Sequence, residues 1–88
     1  MLDPRLTTLR TFAACGTVAA TAELTGYSAS AVSGQLRELQ QALGMTLLVK
    51  DGRGLRLTST GRHLVRRSDE LTAAWEDIRA GEIGRAHV

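Results

Sequence analysis

The side chains able to do chemistry in this chain are mostly hydroxyls and fixed cations, gathered in two places. Ser28, Ser30, Ser33 and Arg37 stand in one stretch, interleaved with Ala29 and Gly34, and Lys50, Arg53, Arg56 and Thr58 stand in another. Hydroxyl, ammonium and guanidinium groups donate hydrogen bonds to anionic oxygens, and the guanidinium fork suits phosphate in particular. Such a set binds a polyanion rather than transforming a substrate. The other reactive groups are scattered. His63 follows Arg62, and the acids Asp69 and Glu70 come about two helical turns later, but no nucleophile, base and oxyanion donor can be placed around a pocket in so small a domain. The expectation is that the chain is not an enzyme. Cys15 is the one cysteine of the sequence, which excludes an intramolecular disulfide and a cysteine-based metal site, and its apolar helical setting points to packing. His87 has no neighbour able to complete a metal site. No metal and no organic cofactor is expected.

Charge points the same way. The 88 residues carry a formal net charge of only +2, yet residues 50–67 hold Lys50, Arg53, Arg56, Arg62, Arg66 and Arg67 against Asp51 alone. Residues 68–82 hold Asp69, Glu70, Glu76, Asp77 and Glu82 against Arg79. A basic block followed by an acidic one implies a polyanion contact in the middle of the chain and a different task for its end. A merely solvated surface is the other reading of the same charges. With 43% hydrophobic residues the chain builds one modest core. No apolar run approaches a membrane span, and the start lacks the order of a signal peptide. A cytoplasmic protein with no membrane partner is expected.

The elements that must hold these side chains are legible from caps and spacing. Asp3 and Pro4 open a helix with an apolar stripe at Leu6, Leu9, Phe12 and Ala13, stopped by Gly16. Thr17 caps a short second helix over 18–25, and Gly26 supplies the turn before Ser28 caps a third. In that third helix Val32, Leu36, Leu39 and Leu43 recur every three or four residues, and Gly44 ends it. Its opposite face carries Ala29, Ser30, Ser33 and Gly34, so its backbone can approach another surface closely, such as the floor of a DNA major groove. A core helix with its small face packed on a neighbour remains the alternative. Two helices joined by a glycine turn form a helix-turn-helix layout. Leu47–Val49 and Leu55–Leu57 then read as a hairpin about a turn at 51–54, with Arg56 outward, forming a basic wing. Thr58 caps a last helix that passes Gly61 and ends near Ala80. Its residues Leu64, Leu71, Trp75 and Ile78 make a heptad-like seam suited to a partner helix, the other reading being that Leu64 and Leu71 merely close the domain core.

Taken together, Leu9-Arg10-Thr11-Phe12, Gly16-Thr17-Val18, Gly26-Tyr27-Ser28, Ser30-Ala31-Val32-Ser33, Leu43-Gly44 and the run Gly52–Gly61 (GRGLRLTSTG) resemble the N-terminal winged helix-turn-helix of LysR-type transcriptional regulators. The likeness covers about residues 2–80. It implies a mainly α fold, a winged helix-turn-helix with a three-helix core plus β-hairpin wing, followed by a long linker helix for dimerisation. It further implies double-stranded DNA as partner, bound by Ser28 and Ser33 at phosphates and by Ala29, Ser30 and Gly34 at the base-facing positions. Arg37 is placed for a backbone or base-edge contact, Arg53 for the minor groove, and Lys50, Arg56 and Thr58 for phosphates. Leu64, Leu71, Trp75 and Ile78 would pair antiparallel with a second copy, and a full-length form would add tetramers. Family members often carry glutamine at the position of Ala29 and arginine or glutamine at that of Gly34. Neither residue here can make a bidentate base contact, so sequence readout should be thin.

The domain limits that follow are 1–60 for the winged helix-turn-helix, 61–82 for the linker helix and 83–88 for a non-native or disordered tail. That tail, IGRAHV, is what one reading frame of a widely used sequencing-library adapter encodes, and the expectation is therefore a truncated form lacking an effector-binding domain. A small-molecule effector is expected only where a C-terminal domain exists. The setting expected is the bacterial cytoplasm, at the nucleoid. The competing function is a winged-helix protein-interaction module without sequence-specific DNA binding.

Overall fold

Four helices and one hairpin follow one another as α1 (Pro4–Cys15), α2 (Val18–Thr25), α3 (Ala29–Leu43), β1 (Leu48–Asp51), β2 (Gly54–Leu57) and α4 (Ser59–Arg85). The computed structural model describes residues 3–85, and the side chains of residues 3–78. Each helix starts where a side chain can satisfy its free amides. Asp3 accepts from the Arg5 N–H at 2.8 Å, Thr17 from Ala20 at 3.1 Å, Ser28 from Ala31 at 3.1 Å and Thr58 from Gly61 at 2.9 Å. The first three helices end on glycines in the left-handed region, Gly16, Gly26 and Gly44, a conformation that costs any other residue a clash.

The core forms where the first three helices meet the start of the hairpin. Leu9, Phe12, Val32, Leu36, Leu39, Leu47 and Leu48 are buried, with Leu6, Val18, Ala22, Leu55, Leu57, Leu64 and Val65 packed around them. Two positions depart from the apolar stripes predicted above. Ala13 is exposed, its place in the interior of α1 being taken by Thr8, and Leu43 is 43% exposed. Thr8 tolerates burial because its hydroxyl reaches both the Pro4 carbonyl and Gln35 Oε1. Leu43 lies at the last turn of α3, beyond the reach of the core. Thr21, fully buried, is satisfied by the Thr17 carbonyl at 2.7 Å.

The hairpin pairs Leu48 with Leu57, Val49 with Arg56, Lys50 with Leu55 and Asp51 with Gly54. Its two-residue loop has positive φ at Gly52 and none at Arg53, as a type II′ turn requires. At the loop end β1 therefore runs two residues and β2 one residue further than the spacing of leucines suggests, and Leu47 is buried just before the ladder begins. On the far side, α4 crosses the hairpin at Gly61. A methyl group there would collide with the Leu47 carbonyl and press on Leu57, so glycine is what lets the helix cross the hairpin at this distance. Arg10 of α1 fastens the next turns through an ion pair with Asp69 at 2.8 Å.

The long axis of the molecule measures 55 Å against 26 and 20 Å for the others, because α4 outruns the core. It continues to Arg85 rather than ending near Ala80. The first three residues of the predicted tail thus have helical backbone, while 86–88 lie outside the described residues. No helix among the described residues is long and apolar enough to cross a membrane, and no group of His, Cys, Asp or Glu there could hold a metal ion.

Candidate nucleic-acid interface

Burial against Leu9, Phe12 and the hairpin fixes which side of α3 faces outward. Ala29, Ser30 and Arg37 are exposed, and Ser33 and Gly34 are half-exposed. Among the described residues nothing covers Ala29, Ser30 or Arg37, and a side chain added at Gly34 would meet open space. At the helix start, Ser28 Oγ accepts the Ala31 amide and lies 3.3 Å from Ser30 Oγ. One of these two hydroxyls keeps a proton free for an external acceptor.

The wing stands beside this face at a fixed spacing. Gln40, on the side of α3 nearest β1, accepts the Leu47 and Leu48 amides on its Oε1 at 2.8 and 3.0 Å. The side chain therefore clamps the strand to the helix. Between them runs a groove lined by Ser33 of α3, by Lys50, Arg53, Gly54 and Leu55 of the wing, and by Gly16 to Ala19 at the start of α2. Ser33 and Arg37 also share a second depression with Leu36, Gln40, Leu48 and Leu55. Hydroxyl, ammonium, guanidinium and the unpaired first amides of α2 thus converge on one concave strip, a surface suited to phosphate oxygens.

Not every predicted contact residue is equally available. Thr58 is a correction: its hydroxyl proton goes to the Thr46 carbonyl at 2.7 Å while its oxygen caps α4, so it has no donor left for a phosphate. Arg56 points outward as expected but lies 3.6 Å from Asp51 Oδ2, an exposed pair that a polyanion can displace. Sequence reasoning missed the α2 start and Gln40. A cap position such as Thr17 does mark free amides, whereas a lone glutamine carries no local signal of its tertiary bond. Arg62, counted with the basic block, turns back to the Leu57 carbonyl and Ser59.

The seam proposed for a partner helix divides. Leu64 packs against the core, whereas Leu71, Trp75 and Ile78 are 54%, 44% and 60% exposed. His63 is exposed, and Asp69 faces Arg10 instead of any histidine.

A family model described as bacterial regulatory helix-turn-helix protein, lysR family, matches residues 4–62. Among individual proteins, the HTH-type transcriptional activator BauR of Pseudomonas aeruginosa is 36% identical over 78 residues, 89% of this chain and 25% of the relative. The HTH-type transcriptional regulator TrpI of the same organism is 39% identical over 79 residues, 86% of this chain and 26% of the relative. The chain therefore spans about a quarter of the length of the regulators it matches. Among solved structures, the DNA-binding domain of CbnR in its complex with DNA is 27% identical and superposes with a TM-score of 0.80, covering 98% of this chain and 97% of that one. The matched segment includes every element of the helix-turn-helix and its wing, and on these grounds the chain belongs to the lysR family of bacterial regulatory helix-turn-helix proteins.

Proposed function

We propose that this chain is a transcription-factor domain that binds double-stranded DNA, with α3 in the major groove and the wing against the minor groove or the adjoining phosphates. One observation carries the reading. The small-residue face of α3 is open to solvent, and Lys50 and Arg53 border the same groove as Ser33. Residues 1–60 act as the binding domain and 61–82 as the linker helix. Ser28 and Ser33 donate to phosphates, Ala29, Ser30 and Gly34 face the bases, and Arg37 lies beside them. Arg53 enters the minor groove, with Lys50 and Arg56 on the backbone. The likeness to a DNA-bound domain of CbnR supports this assignment.

Two copies join through Leu71, Trp75 and Ile78, with Leu64 contributing from the edge of the core. A homodimer places its two α3 helices on half-sites about one helical turn or a multiple apart. Control by a small molecule would belong to the further length found in the related regulators. The matched relatives are regulators rather than enzymes by name, and the proposed role is non-enzymatic, in the cytoplasm and at the nucleoid.

Affinity then comes mainly from phosphate neutralisation, and log K falls with log salt by about 0.9 for each phosphate contacted. Fluorescence anisotropy on labelled duplexes between low and physiological salt tests this. Steep loss of binding is the expected result, and a flat dependence would defeat the reading. Changing both Arg37 and Arg53 to glutamate should abolish binding. If those changes leave duplex binding intact, the wing and α3 are a docking surface for protein instead.

A further inference from the structure

We infer that the ion pair between Arg10 and Asp69 sets the direction in which α4 leaves the domain, and through it the separation at which two copies read paired half-sites. Both are positioning residues, and the inference rests on the reading of the chain as a DNA-binding pair. Past Arg62, few side chains hold α4 to the rest of the fold. Leu64 and Val65 pack on the core, and Ser68 is buried but gives its hydroxyl proton to the Val65 carbonyl of its own helix. Arg67 likewise pairs with Glu70 within α4. Thr72 is half-buried, and its buried hydroxyl bonds to nothing among the described residues. The bond from Arg10 Nε to Asp69 Oδ1, at 2.8 Å, is thus the one side-chain hydrogen bond among the described residues that ties this length of α4 to another element. The Arg10 side chain is only 29% exposed, so packing holds its stem and leaves the guanidinium little freedom to move.

The first helix connects that tie to α3. Just before Arg10, Thr8 bonds to Gln35 of α3, while Leu9 and Phe12 share a core with Val32 and Leu36. A strut therefore runs from α3 through α1 to Asp69. An exposed pair of this kind adds little to stability, so its effect is on direction rather than on folding. Apolar contacts such as those of Leu64 and Val65 let a helix tilt over them, because their attraction has no preferred direction. An N–H···O bond does have one. From Asp69 to Ile78 the helix rises about 13 Å, so a tilt of about 10° at the tie displaces Ile78 by roughly 2 Å. Repeated by symmetry in a second copy, the change is roughly 4–5 Å, more than the step of about 3.4 Å between base pairs. The tie acts at the scale on which half-site separation is counted.

The test compares the full chain in three forms: native, Asp69→Ala, and the exchange of Arg10→Asp with Asp69→Arg, each checked for native helix content by circular dichroism. Direction is read without DNA by electron double resonance between spin labels at Glu23→Cys and Asp77→Cys, both exposed positions, in a Cys15→Ala background diluted with unlabelled chain. The native form should give one narrow distance, Asp69→Ala a distribution wider by roughly 2 Å or more, and the exchange a narrow one again. Separation is read by selection from a library of random duplexes. The native chain should favour one half-site separation roughly tenfold over those one base pair away, and in Asp69→Ala that preference should fall to about twofold with the half-site sequence unchanged. The exchange should restore it. The inference is overturned if Asp69→Ala leaves either the distance or the preferred separation as sharp as in the native chain, or if the exchange restores neither. A native chain that selects no paired half-sites would instead remove the reading on which the inference stands, while the label distances still report whether the tie directs α4.

Discussion

The two halves of α4 differ in charge and in surroundings. In the first half Gly61 and Ser68 are buried and Leu64 and Val65 pack on the core, so the helix is part of the domain. In the second, Leu71, Trp75 and Ile78 are exposed, each with about half of its area uncovered. A single heptad-like spacing runs through both. The difference shows that periodicity announces an apolar stripe without saying what covers it: the first half is covered by the same chain, and the second is left uncovered among the described residues.

Gly61→Ala should give the largest effect, because it tests the packed half at its tightest point. The added methyl must push backbone, not a flexible side chain, and overpacking of this kind costs about 1–3 kcal/mol. In a domain this small that is a fall in Tm of roughly 5–20 °C, measurable by circular dichroism. An unchanged Tm would mean that α4 is not held against the hairpin as described.

The exposed half should behave in the reverse manner. Leu71→Ala with Trp75→Ala removes apolar surface that the fold does not bury, and the helices should keep their circular dichroism signal. Self-association measured by sedimentation should weaken by roughly tenfold or more, since burying each such side chain is worth about 1.5–3 kcal/mol. If folding collapses instead, the second half is as much a part of the core as the first.

Thr25→Leu sharpens the comparison at a site between the two extremes. Thr25 is half-buried at a depression lined by Pro4, Thr7, Thr8, Thr11, Leu24 and Tyr27, while Leu24 beside it is 71% exposed. Leucine there gains helix propensity and apolar contact, and Tm should rise by a few degrees, about 0.5–1 kcal/mol. A fall would place Thr25 outside the packed region.

The smallest effect belongs to a fully exposed site. The Asp3 carboxylate, hydrogen-bonded to the Arg5 guanidinium and its backbone N–H, has its pKa lowered from 3.8 to about 2. A carboxylate whose pKa is depressed in the folded state stabilises it above the unfolded value and ceases to do so as pH falls through the folded one. The contribution is thus complete above about pH 4 and lost on the way to about pH 2. Asp3→Asn should flatten only this last part of an acid melting curve, and a change at neutral pH larger than the loss of one cap would contradict it.

Those features of the fold that act within a few residues were legible before the structure. Asp3, Thr17, Ser28 and Thr58 cap because the amides they satisfy lie two or three positions on, and Gly52 turns the hairpin by its own conformational freedom. The outward face of α3 was legible too, since Val32, Leu36 and Leu39 determine the opposite side. What escaped notice depends on approach between distant segments: Gly61 against Leu47, Arg10 against Asp69 and Thr8 against Gln35. Thr58 was misjudged for the same reason, because its acceptor, Thr46, is twelve residues away. The identities of the outward residues of α3 were legible, but the engagement of Gln35 and Gln40 was not, since each bond reaches a distant segment.

The clamp that Gln40 places on β1 makes helix and hairpin a single jaw. Such a jaw has a set gape, so under the proposed function the chain would act as a caliper on the duplex. Tracts whose adjacent grooves depart from that gape must deform before both surfaces can seat, and that work varies with the local stiffness of the duplex. Gln40→Ala, which removes the clamp and none of the cationic or hydroxyl side chains of the groove, should blunt the discrimination between rigid and pliable tracts.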